Sequence, residues 1–196
     1  MKMQIKNSHR PFIAITFLAL LLTMMACNEK KESTQNTAVS ETKVKSPDID
    51  IHTAVMTDNI EALKQHIAAG SNLNEKDPLG GSSPLISASL FGKTAMAKML
   101  IEAGADINFQ NNDGSTALHT ASFFCRPEIV RMLLDKGADK IIKNKYGQTA
   151  YESVAGPFAT VKASYDALGK MLEPMGLTLD YTYIEKTRPE IAAMLK

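Results

Sequence analysis

The chain has 196 residues, with 22 Lys and Arg against 21 Asp and Glu, 44% apolar residues, two Cys and no Trp. That fits one globular domain with an appendage and excludes a large multidomain enzyme. A formal charge of +1 is too balanced for a dedicated nucleic-acid binder, and two Cys cannot build a disulfide-dense scaffold.

Residues 1–10 are basic and polar, and residues 12–26 are almost wholly apolar up to Cys27. This is a basic n-region followed by an h-region. As a helix the apolar run rises about 22 Å, short of the roughly 30 Å hydrocarbon core, so a permanent span is the weaker reading. Ala26 directly before Cys27 resembles a bacterial lipoprotein signal, although Met24 stands where that family prefers Leu. The resemblance implies cleavage after residue 26, acylation of Cys27 and a lipid anchor in the cell envelope. Asn28 is not the Asp of an inner-membrane retention signal, which favours the outer membrane. Without Lys2, Lys6 and Arg10 the remainder carries 19 basic and 21 acidic residues, a net −2. Residues 27–45 are too polar and aperiodic to bury a core and read as a disordered linker.

From Ser46 a repeat governs the sequence. Gly70, Gly104 and Gly137 lie 34 and 33 apart, each preceded by an apolar stripe: Ile60, Leu63 and Ile67; Met96, Met99 and Leu100; Ile129, Met132 and Leu133. Ser83-Pro84-Leu85, Thr116-Ala117-Leu118-His119 and Thr149-Ala150-Tyr151 recur upstream at a spacing of 33. Ser83 and Thr116 can cap helices, Pro84 suits a first helical position, and the glycines can end helices in the left-handed region. Ala54, Ala88 and Ala121 are small residues at equivalent places that permit close helix approach. A period of about 33 with a Thr-Pro-Leu-His-x-Ala pattern resembles the ankyrin repeat family. The resemblance implies an all-α repeat: an ankyrin solenoid of helix-turn-helix units with hairpin-like loops and an extended helical C-terminal cap. It also implies that His52 and His119 bond backbone between neighbouring units, a bond that Ile86 cannot make. The expected division of 46–196 is about 46–76, 77–110, 111–143 and 144–196.

Two departures stand out. Asn74 to Leu85 is one residue longer than Asn108 to Leu118, and Gly80-Gly81 is the expected place of a lengthened hairpin tip. Arg126-Pro127-Glu128-Ile129 is echoed by Arg188-Pro189-Glu190-Ile191, but the spacing from the preceding Thr grows from 10 to 39. The fourth unit therefore carries an insertion near 156–186. Ala159 to Met171 is expected to form an extra helix, stopped by Glu173-Pro174-Met175-Gly176.

No set of residues points to catalysis. Phe91-Gly92-Lys93-Thr94 ends like a phosphate-binding loop, but the first glycine that loop requires is Ser87. Ser83 lacks a nucleophile elbow. His52, His66, His119 and Cys125 show no metal-ligand spacing, so no metal or cofactor is expected, and Cys125 stands where the ankyrin family usually has Gly. A rival enzymatic reading puts a site in the insertion, where Asp166, Glu173, Asp180, Tyr181, Tyr183 and Glu185 could do acid–base work, although scattered acids usually form a solvated face.

Ankyrin arrays present a concave surface of hairpin tips and first-helix faces. Repeat register puts Thr57, Phe91 and Phe124 in one row and Met56, Leu90 and Phe123 beside it, so Leu90, Phe91, Phe123 and Phe124 form an unusual apolar group there. Either they are exposed anchors for a partner, or one Phe of each pair packs under the hairpins or against the inserted helix. Leu79, Phe109, Asn111 and Tyr146 on the tips complete the candidate surface. The expectation is a monomeric, envelope-tethered, non-catalytic module that binds a protein and neither nucleic acid nor a small-molecule substrate. An immunity or inhibitor protein against an envelope toxin or lytic enzyme is a specialised alternative.

Overall fold

The computed structural model describes residues 45–196. The expected signal segment, Cys27 and the linker up to residue 44 lie outside the described residues. Among the described residues all regular elements are helical: α1 (Ile51–Met56), α2 (Ile60–Ala68), α3 (Pro84–Phe91), α4 (Thr94–Glu102), α5 (Ala117–Phe123), α6 (Pro127–Asp135), α7 (Glu152–Ala155), α8 (Phe158–Leu172) and α9 (Tyr181–Leu195), with a 3-10 turn at Glu173–Met175. First helices stack in the order α1, α3, α5, α7, while α4, α6 and α9 stack behind them.

The helix starts are set by local chemistry. Ile86 N–H donates to Ser83 Oγ at 3.3 Å and His119 N–H to Thr116 Oγ1 at 3.4 Å. Pro84 and Pro127 occupy first-turn positions where a missing N–H costs nothing. In the first unit the equivalent of those hydroxyl residues is Ile49, so Asp50 caps α1 instead, accepting from Thr53 N–H at 2.9 Å.

Burial of one helical stripe against the next unit supplies the core. Leu63, Met96, Leu100, Ile129 and Leu133 are buried, and Ala54, Ala88 and Ala121 are fully enclosed between first helices. Ile60 departs from the expected stripe and is exposed. It is the first residue of α2, and the buried face of that helix runs through Ala62, Leu63 and His66.

Two side-chain ladders tie the units together. His52 Nε2 donates to Glu75 O at 3.0 Å and His119 Nε2 to Gln148 O at 3.1 Å, as the repeat pattern implies. His119 Nδ1 accepts from Thr116 N–H. Among the described residues His52 Nδ1 has no partner, since Ile49 stands in the place of that Thr. Asp106 N–H donates to Asn74 Oδ1 at 2.8 Å, and Asp139 N–H to Asn108 Oδ1 at 2.9 Å. His66 closes the N-terminal side: its Nε2 donates to Ile49 O at 2.8 Å and its Nδ1 pairs with Ser71 Oγ at 3.0 Å.

Burial holds His119 below its ordinary value of 6.5 despite its bonds to backbone. Its folded state therefore favours the neutral ring. The stability this contributes is present above about pH 6.5 and falls as pH drops below it, because the unfolded chain takes up the proton first. Urea midpoints measured between pH 8 and pH 5 should decline, and His119→Gln should be less stable at pH 8 but flatter over that range. An equal slope in the variant would contradict this assignment.

The turn between the two helices of each unit passes through the left-handed region at Asp58 (φ 58°), Gly92 (φ 66°) and Cys125 (φ 53°). Only the second is glycine, although the conformation costs other residues roughly 1–2 kcal/mol. Cys125 is fully buried, in a cluster with Tyr165 of α8 and Ile184 of α9.

Between α7 and α9 the chain runs through α8 and the 3-10 turn. Thr149 and Glu152 bond reciprocally across the turn that leads into α7, with Thr149 N–H donating to Glu152 Oε2 at 2.7 Å and Glu152 N–H to Thr149 Oγ1 at 3.2 Å. That helix lasts only one turn. After α8, the last helix does not restart at Pro189 as α6 does at Pro127; it begins eight residues earlier at Tyr181, capped by Asp180, and carries Pro189 inside it. Its second half packs on α6 and α7 and closes the array.

Candidate functional site

Of the inner-helix rows expected from register, Met56 and Thr57 of the first unit are exposed, whereas the residues of the second and third units are half-buried or buried. Along α8, Phe158, Val161, Tyr165, Leu168 and Leu172 fall at three- and four-residue spacing and so share one face. That face packs on Phe123 and Phe124 at the end of α5, and Leu90 and Phe91 of α3 flank the same cluster. Phe124, Leu172 and Leu177 form one buried cluster, flanked by Leu90, Phe91, Phe123, Leu168 and Leu179. Cys125, Tyr165 and Ile184 form a second, flanked by Phe123, Phe158, Val161, Leu179 and Tyr181. Of the two outcomes expected for Leu90, Phe91, Phe123 and Phe124, exposed anchors or packing against the inserted helix, Phe124 is buried and the other three are half-buried beside Leu168 and Leu172 of α8.

The contact is specific as well as apolar. The Phe123 and Tyr165 rings stack at 4.3 Å with 17° between planes, and Phe123 meets Phe124 edge-on at 5.2 Å. Tyr165 is fully buried and its hydroxyl donates to Phe123 O. Arg188, also buried, donates to that hydroxyl at 3.0 Å, to Ser153 O at 3.3 Å and to Gly156 O at 3.1 Å. One side chain of α9 thus joins α7, the turn after it and α8. Burial pushes the Tyr165 phenol up to about 12 and the Cys125 thiol up to about 11, overriding the pull of nearby Arg188 on each. Both groups are neutral at physiological pH. Cys125 Sγ donates weakly to Ile184 O at 3.7 Å.

The hairpin tips are the part of the expected surface that remains open. Each is organised by one short polar residue at its start. Asp77 accepts from Leu79, Gly80 and Ser82 N–H groups, Asn111 from Asp113 and Ser115, and Asn144 from Tyr146 and Gln148. Burial alone would raise the Asp77 carboxyl, but its backbone donors outweigh that and hold it below the ordinary carboxylate range. The first tip, closed by Asp77 N–H to Ser82 O at 2.9 Å, holds one residue more than the second, closed by Asn111 N–H to Ser115 O at 3.1 Å. The surplus residue pushes Leu79 into solvent, where it is 83% exposed. Tyr146 is 72% exposed. Asn111 is committed to its turn, and half-buried Phe109 packs on the core with the Lys76 ammonium 5.6 Å from its ring centre.

Sequence reasoning missed Ile141, which is 79% exposed. Its signal was present: Asn74 and Asn108 bond the following unit, and Ile141 occupies their place in the last complete unit, where there is no following hairpin loop to hold. A shallow cleft of about 480 Å³ runs between the second and third tips, bounded by Asn111, Asn112 and Gly114 on one side and Lys143, Asn144 and Lys145 on the other.

Of the residues of the rival catalytic reading, Asp166 and Tyr181 come together around Lys162, whose ammonium lies 5.1 Å from the Tyr181 ring centre, while Asp180 stands apart as a helix cap. Asp166 accepts from Lys162 at 3.0 Å, and that bond holds its carboxyl below the ordinary range. Asp180 caps α9 by accepting from Tyr183 N–H at 3.0 Å. Among the described residues no group of three or more His, Cys, Asp or Glu is placed to hold a metal ion, and no helix is long and apolar enough to cross a membrane.

Comparison with known proteins agrees with the stacked pairs. Residues 51–144 match the family described as ankyrin repeats, 3 copies. A stretch of 58 residues is 38% identical to human "DNA-binding protein RFXANK", covering 30% of this chain and 22% of that protein. The chain thus spans about a fifth of the length of this curated relative. The crystal structure of the ankyrin repeat domain of Bcl-3, described as a unique member of the IkappaB protein family, superposes with a TM-score of 0.51 at 34% identity, over 53% of this chain and 45% of that one. Ankyrin repeats are protein–protein interaction modules. Residues 51–144 thus match three ankyrin repeats, and the described residues form an ankyrin-type solenoid closed by a helical cap.

Proposed function

We propose that this protein is a non-catalytic binding module that holds a protein partner by its hairpin tips, tethered in the bacterial cell envelope through acylated Cys27. The observation that carries the reading is the division of the concave surface: α8 fills the inner-helix ends, while Leu79, Ile141 and Tyr146 stay exposed along the tips. Exposed apolar and aromatic side chains in a polar rim are the usual anchors of a partner. The basic n-region, apolar run and Ala26-Cys27 junction support the tether, and the near-balanced charge favours a protein over a nucleic acid.

Photocrosslinking in intact cells tests the surface. A benzophenone side chain at position 79 or 146 is expected to capture a discrete partner, and one at position 124 to give none. Capture from 124 alone would overturn the assignment. Cys27→Ser should release the protein from the membrane fraction; retention there would remove the tether.

A further inference from the structure

The hairpin tips form a ladder with one open end. Asn112 N–H donates to Gly80 O at 2.9 Å, and Lys145 N–H to Asp113 O at 2.8 Å, so each tip receives one backbone hydrogen bond from the next. In this register Pro78 is the equivalent of Asn112 and Lys145, and Tyr146 is the equivalent of Gly80 and Asp113. The first tip therefore has no N–H to offer at its outer edge, since proline lacks one. At the other end the Tyr146 carbonyl accepts no hydrogen bond from the described residues. The helices there are covered by α7 and α9, but the cap brings no fourth hairpin.

Charge changes along the same row. Residues 136–148 hold four lysines (Lys136, Lys140, Lys143, Lys145) and one acid, Asp139, whereas residues 103–115 hold no lysine and two acids, Asp106 and Asp113. All four lysines are exposed, and none of them forms an ion pair among the described residues. Beside them stand the exposed Ile141 and Tyr146.

We propose that the third hairpin tip is an edge-addition site for an extended acidic segment of a protein partner. The segment takes the place of a missing fourth tip, donating a backbone N–H to the Tyr146 carbonyl. Its apolar residues cover Ile141 and Tyr146, and its carboxylates face Lys143 and Lys145. Main-chain bonding to an exposed edge gives affinity, and alternate side chains give selectivity. Pro78 makes the addition one-directional, because a second copy of this chain cannot supply the donor from its first tip; the partner is a different protein. The site deepens the tip-binding reading above and rests on it.

The test uses the full chain and a synthetic ten-residue peptide of alternating Glu and Val, followed by amide NMR shifts. Saturable shifts confined to residues 139–148 are expected. Lys143→Glu with Lys145→Glu should weaken binding at least about tenfold, since like charges across an interface repel. Methylating alternate peptide nitrogens on the bonding edge should weaken it by a similar factor. Equal binding of a Lys-Val peptide, or shifts centred on the first tip, would overturn the proposal. So would binding of vesicles of equimolar phosphatidylcholine and phosphatidylglycerol that needs the same lysines when the peptide gives no shift, since the occupant would then be a lipid surface. A photocrosslink from position 146 that persists when the acidic peptide fails would overturn this inference alone and leave the module reading standing.

Discussion

Tyr165→Ala is expected to destabilise the C-terminal cap by about 3–5 kcal/mol, the usual range for removing a large aromatic from a core, while leaving residues 51–144 folded. The ring is fully buried, stacks on Phe123 and carries a hydroxyl that joins Phe123 O to Arg188. Truncation creates a cavity and removes one of the hydrogen bonds of buried Arg188, which has no carboxylate partner among the described residues. Tyr165→Phe keeps the stack and should cost only about 1–2 kcal/mol, the scale of one buried hydrogen bond. Because units in a stack contact only their neighbours, loss at the cap need not propagate to the first two units. Hydrogen exchange resolves this: amides of α8 and the first half of α9 should lose protection in Tyr165→Ala, and those of α2, α3 and α4 should keep theirs. Uniform loss along the chain would show that the cap and the array are one cooperative unit.

Leu118→Ala is expected to do the opposite and weaken the whole array, by about 2–5 kcal/mol. Leu118 is buried on α5, the helix that packs against α3, α6, α7 and α9. Among the described helices it packs closely on the most neighbours, so the cavity lies where the complete units meet the cap. Urea unfolding followed by circular dichroism should show a lower midpoint for all helical signal, with protection falling together in α3, α5 and α6. A shift confined to the cap would contradict the placement of the main core along the first helices.

Much of this is legible in the sequence, and the part that is not has a physical reason. Caps, left-handed turns and the two inter-unit bonds of His52 and His119 depend on residues within a few positions or one repeat of each other, so spacing reveals them. The inserted helix is legible as a helix from its formers and its Pro-Gly stop. Its destination is open between two outcomes, since register puts Leu90, Phe91, Phe123 and Phe124 on the concave side whether they are wet or covered. Only the three-dimensional course of residues 156–181 decides that, and it depends on contacts such as Tyr165 with Phe123 that are 42 residues apart. Arg188 is visible as an echo of Arg126, but its buried role is not. An echo in type says nothing of what the insertion brings beside it. Ile141 is easily overlooked for the converse reason: its meaning is the absence of the Asn that earlier units use to hold a successor.

The most direct measurement is a carbon-edited NOESY spectrum of the full chain, read for cross-peaks between the Tyr165 and Phe123 ring protons and between Leu172 methyls and the Phe124 ring. Strong cross-peaks in both pairs, with helical shifts across residues 158–172, are expected if the inserted helix fills the inner-helix ends and leaves the tips to a partner. Random-coil shifts across that segment and no cross-peaks would mean that the Phe rows are open, and the division of the surface would be wrong.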